Sequence, residues 1–137
     1  MTSKKYLDLI TYEIIGAAIE VHKALGPGLL ESIYHKCLKK ELELRNIPFN
    51  IELSIPIEYK GEVIDAGLRC DFFIDDCVVV ELKSTDVIKP IFEAQLLTYM
   101  KLLKAPKGIL INFNVQNLFK EGQKTYVNEY FRDISEE

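Results

Sequence analysis

The stretch from Cys70 to Lys83, CDFFIDDCVVVELK, decides the fold. Two runs rich in aromatic and β-branched residues meet at Asp75-Asp76, a pair suited to a tight turn, so the stretch reads as two antiparallel strands. The second run, Cys77 to Lys83, is apolar at successive positions until Glu81. Neither of its faces is left for solvent, which places it at the centre of a sheet covered on both sides. Pairing across the turn brings Asp71 close to Glu81, and Lys83, two residues on, shares the face of Glu81. An unpaired buried charge costs roughly 3 to 5 kcal/mol, so two acids pointing inward from apolar strands call for a partner. The simplest partner for both is a cation. Carboxylate oxygens completed by water and a substrate phosphate suit Mg2+ or Mn2+, and such an ion lowers the pKa of a bound water and offsets charge developing on phosphorus. Lys83 would then orient that water. A cross-strand ion pair on a solvated face is the competing account of the same three residues.

Outward from this stretch the chain alternates helical and strand periods. Upstream, Ile51, Leu53, Ile55 and Ile57 alternate with polar residues, the period of a half-exposed strand from Asn50 to Ile57. Lys60-Gly61 turns it, and Val63 to Ile74 returns, so three strands form an antiparallel meander. Further upstream, Leu7, Ile10, Ile14, Ala17, Ala18, Val21 and Leu25 recur at helical spacing until Gly26-Pro27-Gly28 breaks the pattern. A second helix follows from about Leu29 to Arg45 and ends at Asn46 and Pro48. Downstream, Pro90 opens a third helix that runs to about Lys104. Gly108 to Phe113 reads as a short buried strand, Glu121-Gly122 as a turn, and Thr125 to Phe131 as a last, edge strand. The expected fold is α/β in the order ααβββαββ, a central mixed sheet flanked by helices, in one domain over residues 1–137.

Three further residues bear on the acidic pair. Helical phase lines Glu31 up with Leu38 and Leu42, toward the core side of the second helix, where an acid needs a partner. A first-turn glutamate favoured by the helix dipole is the plainer account. Gln95 and Tyr99 lie one turn apart on the third helix, placed to hydrogen-bond a phosphate or a metal-bound water, or simply to pack as a satisfied core pair. His35, one turn after Glu31, is either an additional ligand or a helix-surface histidine, and no role is assigned to it or to His22.

Gly28-Leu29-Leu30-Glu31-Ser32-Ile33-Tyr34 fits a GxxExxY signature, and from about Leu9 to Asn128 the chain resembles the family named after it. That family is placed in the PD-(D/E)XK nuclease superfamily, which has a restriction-endonuclease-like, three-layer fold. The resemblance assigns Asp71 to the second-strand aspartate and Glu81-Leu82-Lys83 to the (D/E)xK of the third strand. Glu31 matches the helix glutamate of RecB-type members, and Gln95-Leu96-Leu97-Thr98-Tyr99 matches their QxxxY. Gly108 to Asn114 looks like the family's GLLINFN stretch. Cys70 stands where the proline of "PD" would be, a position that contributes no ligand.

The resemblance implies an Mg2+- or Mn2+-dependent nuclease that hydrolyses phosphodiester bonds of DNA or RNA. Asp71, Glu81 and Glu31 would be metal ligands; Lys83, Gln95 and Tyr99 would assist the water and the phosphate. A catalytically silent module of the same fold, serving in protein or nucleic-acid binding, is the alternative.

Composition limits the remaining readings. The 137 residues are 48% hydrophobic and 28% charged, a globular balance, and no apolar run approaches the roughly 20 residues of a spanning helix. The N-terminal stretch mixes polar residues into its apolar positions, so a cytoplasmic location is expected. A formal net charge of −4 confines nucleic-acid contact to a local patch. Lys36, Lys39, Lys40, Lys89, Lys101, Lys104 and Lys107 are candidates for a basic rim, unless they are ordinary solvated helix charges. Cys37, Cys70 and Cys77 lack CxxC spacing and read as reduced core thiols. No Gly-rich phosphate loop and no Ser-His-Asp pattern occurs. The edge strand offers a route to a homodimer or to a targeting partner protein.

Overall fold

Residues 2–137 are described by a computed structural model. The first helix, α1 (Lys4–Leu25), begins at Ser3, whose hydroxyl accepts from the Tyr6 amide, and buries Leu7, Ile10, Ile14, Ala17, Ala18 and Val21. Gly26 ends it in a left-handed conformation (φ +72°). Helix α2 (Glu31–Leu44) buries Tyr34, Leu38 and Leu42. Then follow β1 (Phe49–Ser54), β2 (Ile57–Tyr59), β3 (Glu62–Ile64), β4 (Arg69–Ile74), β5 (Val78–Lys83), α3 (Pro90–Leu103), β6 (Lys107–Asn112), α4 (Leu118–Glu121), β7 (Gln123–Val127) and α5 (Glu129–Arg132).

One five-stranded sheet runs in the order β1-β4-β5-β6-β7, so the stretch from Cys77 to Lys83 is its central strand, as its unbroken apolar pattern requires. Strands β1, β4 and β5 are antiparallel neighbours, while β5 and β6 are parallel and joined through α3. Two cores cover the two faces. Phe72, Ile74, Val78, Val80, Leu82, Ile109 and Ile111 pack with α1 and α2; Phe73, Val79 and Leu110 pack with Leu96, Tyr99 and Met100 of α3. The helix–sheet–helix layering is that of the restriction-endonuclease-like fold. It leaves the C-terminal end of β5, which carries Glu81 and Lys83, between α2 and α3.

Several expectations are corrected. The strand expected from Asn50 to Ile57 ends at Ser54, and Ile57 opens β2 in the separate two-stranded sheet. The returning strand from Val63 to Ile74 is two strands: Val63 and Ile64 pair with β2 in a separate hairpin. The chain then turns at Asp65-Ala66-Gly67, where the Asp65 carboxylate accepts from the Gly67 amide and Gly67 takes φ +70°. The last strand stops at Val127 because the Asn128 side chain caps α5, accepting from the Tyr130 amide. Lys107, a candidate for a basic rim, is buried and paired with Asp8 at 3.3 Å. The cysteines are free; Cys70 and Cys77 are buried and Cys37 half-buried. Among the described residues no helix is long and apolar enough to cross a membrane.

Candidate metal centre

The β4–β5 ladder pairs Ile74 with Val78, Phe73 with Val79 and Phe72 with Val80, and then stops. One step further it would oppose Asp71 to Glu81. There the side chains replace the ladder: the Asp71 amide donates to Glu81 Oε2 at 2.7 Å, and the Leu82 amide donates to Asp71 Oδ2 at 2.8 Å. Each carboxylate therefore has one oxygen fixed by the backbone. The other oxygen of each has no hydrogen-bond partner among the described residues, yet no side-chain oxygen is both fully buried and unpartnered, so these second oxygens reach solvent. Burial, then the charge of Asp71, pushes the Glu81 carboxyl up to about 8. Burial also raises the Asp71 carboxyl, against the lowering effect of the Leu82 amide. Two desolvated acids with one free oxygen each are a donor set suited to a hard divalent cation, which would remove the cost of ionising both. The residues present fit such an ion.

A second irregularity meets the first at Asp71. Register pairs Ile51 with Phe72 and Leu53 with Cys70 but skips Glu52 and Asp71 between them. Ile51 and Phe72 belong to the core on the α1/α2 face, whereas Leu53 and Cys70 belong to the core on the α3 face. Simple alternation would keep each of those strands' pairs on one face. The β1–β4 ribbon turns over at this point, with Glu52 in the left-handed region (φ +51°). Glu52, which strict alternation reads as an ordinary solvent-facing residue, thus comes beside Asp71 and His35. Nothing in the period of the sequence marks it; only the Glu31-to-His35 helical spacing pointed toward this side.

Glu31, Asp71, Glu81 and Lys83 lie near one another: Lys83 and Asp71 act on the Glu31 carboxyl, and Asp71, Lys83 and Glu31 on that of Glu81. Glu31 is corrected in one respect: it is exposed at the mouth of a groove rather than turned into the core, although the desolvation it does suffer still raises its carboxyl. The groove, about 420 Å³, is lined by Glu31, Ser32, His35, Lys36, Glu52 and Asp71. Lys83 is not locked to either acid; its ammonium stands 4.3 Å from the centre of the Phe92 ring. Gln95 Nε2 donates to the Tyr99 hydroxyl at 3.0 Å. Burial, and after it the charges of Glu81 and Asp71, push the Tyr99 phenol up, so it stays protonated and able to donate.

The residues of the GxxExxY stretch position the site. Gly28 takes φ +95°, and the buried Tyr34, stacked on Phe113 at 4.4 Å, donates to the Gly26 carbonyl and accepts from the Leu29 amide. The Ser84 hydroxyl donates to the Leu29 carbonyl at 2.6 Å, tying the start of α2 to the segment after Lys83. Asn112 had no assigned role. It lies opposite Lys83 in the parallel ladder and holds that same segment, accepting from the Thr85 amide and donating to the Thr85 carbonyl. Its near-complete burial in an apolar strand was the available signal.

Comparison with known proteins gives one match. A family model described as the PD-(D/E)XK nuclease superfamily matches residues 8–125. No curated protein and no solved structure matches the chain.

Proposed function

The chain belongs to the PD-(D/E)XK nuclease superfamily, and from that premise we propose that it is a metal-dependent nuclease using Mg2+ or Mn2+ to hydrolyse phosphodiester bonds of DNA or RNA. The observation that carries this reading is the pair Asp71 and Glu81, opposed at the end of two strands, each with one oxygen tied to a backbone amide and one left over. Fixing one oxygen orients the other, the arrangement that outer-shell hydrogen bonds give to metal ligands. Asp71 and Glu81 would hold the ion, with Glu31 as a direct or water-mediated third ligand. A divalent ion bound there would polarise a phosphoryl oxygen and make a coordinated water more acidic.

The chain's own residues supply the rest. Lys83 shares the face of Glu81 and carries a charge not held in a close ion pair, so it can orient the attacking water and neutralise an oxygen at phosphorus. Tyr99, kept protonated, and Gln95, bonded to it, would position a phosphate from the α3 side. The short GxxExxY stretch supports placing the chain in the family of that name, as one domain over residues 1–137.

The test is cleavage of single-stranded, double-stranded and structured nucleic acid by wild type and Lys83→Ala, with Mg2+ or Mn2+ and with chelator. Cleavage should require metal, and Lys83→Ala should lose about a hundredfold or more, the scale on which one charge-stabilising group acts. Equal cleavage by both proteins would mean a contaminant. No cleavage, together with a melting temperature indifferent to millimolar metal, would favour a silent binding module instead.

A further inference from the structure

We propose that His35, Glu52 and Asp71 form a second cation site, on the α2 side of the sheet, that takes a divalent transition metal such as Mn2+ in preference to Mg2+. It deepens the nuclease reading and rests on it only through the shared Asp71. One imidazole nitrogen and one oxygen from each carboxylate lie within 4.8 Å of one another. These three residues come from three different elements, and the turnover of the β1–β4 ribbon is what gathers them.

The His35 ring and the Asp71 carboxylate are each placed by a group outside the trio. The His35 ring is stacked on Phe72 at 4.5 Å and 26°, which fixes its plane. Its Nε2 then lies 3.4 Å from Glu52 Oε1 and 3.3 Å from the Asp71 carbonyl oxygen, which can only accept, so a bound cation would displace the Nε2 proton held in this contact. Asp71 is held through its Oδ2 by the Leu82 amide. Glu52 stands at the skipped position of the ladder, directly across from Asp71, and its side chain is 57% exposed. The groove in front of them leaves room for coordinated water or a phosphate oxygen, and Lys36 and Ser32 line it.

The donor set decides the kind of ion. An acidic cluster offers only oxygen, which suits Mg2+, Ca2+ and Mn2+ alike; an imidazole nitrogen in place of one oxygen counts against the hard Mg2+ and leaves Mn2+, Co2+ or Zn2+ favoured over it. The pair Asp71 and Glu81 offers oxygen alone. Asp71 is common to both groups, so the two sites would flank one carboxylate and differ in the metal each prefers.

The experiment is calorimetric titration of Mn2+ into the full chain under excess Mg2+, for wild type, His35→Gln, Glu52→Gln and Glu81→Gln. Wild type should retain an Mn2+-binding event that Mg2+ does not displace. His35→Gln and Glu52→Gln should weaken that event by about tenfold or more, the scale seen even for outer-shell partners of a metal, and leave Mg2+ binding unchanged. Should His35→Gln unfold for want of its stack on Phe72, the exposed Glu52 makes Glu52→Gln decisive by itself. Unaltered Mn2+ binding in Glu52→Gln, or complete displacement of Mn2+ by Mg2+ in wild type, would overturn the proposal. Glu81→Gln separates the two readings: if it fails to weaken Mg2+ binding, the nuclease centre is wrong and the trio stands.

Discussion

At Glu81 the carboxyl is pushed to about 8 in the folded chain by burial and by the charge of Asp71, against an ordinary value of 4.5. Between those two values the metal-free folded state keeps a proton that the unfolded chain has released. The folded state then binds more protons than the unfolded, so stability falls as pH rises through that window. In chelator, the melting temperature should decline from about pH 5 to about pH 8.5, and Glu81→Gln should flatten the decline. Identical slopes in the two proteins would contradict this. Because a cation competes with that proton, the stabilisation given by Mg2+ should grow with pH over the same interval. Lys83 belongs to the same scale: Lys83→Ala should abolish most cleavage while leaving the melting temperature nearly unchanged, since the lysine makes a cation–π contact and no close ion pair.

Among the elements, β5 was the most legible in the sequence, because an unbroken apolar run ending in Glu-Leu-Lys has few other places to go than the centre of a covered sheet. The three long helices, α1, α2 and α3, followed from spacing, whereas the single turns α4 and α5 did not, α5 lying where a strand is expected. What stayed hidden was the turnover of β1 and β4 at Glu52 and Asp71, since a non-glycine residue at positive φ inside a strand leaves no mark in the hydrophobic period. The hairpin of β2 and β3 was merged into its neighbour for a related reason: Val63 and Ile64 look like strand-core residues, but both are exposed. Glu31 was placed on the correct helix and nearly the correct face, and helical phase could not foresee that the groove opens beside it.

Two element-level tests follow. Tyr34→Phe removes the hydroxyl that ties Gly26 and Leu29 to α2, and should cost about 1 to 3 kcal/mol in denaturant unfolding because buried partners are left unmatched. A Cβ at Gly108 would lie 2.5 Å from Met100 Sδ and 3.1 Å from Leu96 Cδ1, so Gly108→Ala should destabilise the β6–α3 contact by about 1 to 3 kcal/mol.

Over the whole molecule the charge is −4, and the burial of Lys107 removes one cation from any surface that could meet a polyanion. On the nuclease reading, a phosphate contact beside the candidate centre would fall to Lys36, the cation that lines the groove. Lys36→Ala should weaken binding by a similar factor on every sequence and reduce the slope of log K against log salt by about one. An unchanged slope would place the phosphate contacts elsewhere. The central claim concerns the ion between Asp71 and Glu81, and anomalous diffraction from a crystal soaked in Mn2+ addresses it most directly. The account predicts a peak at about 2.1 Å from the free oxygens of both carboxylates, the distance hard octahedral cations keep. A soaked crystal with no peak there, or with manganese only at His35 and Glu52, would contradict it.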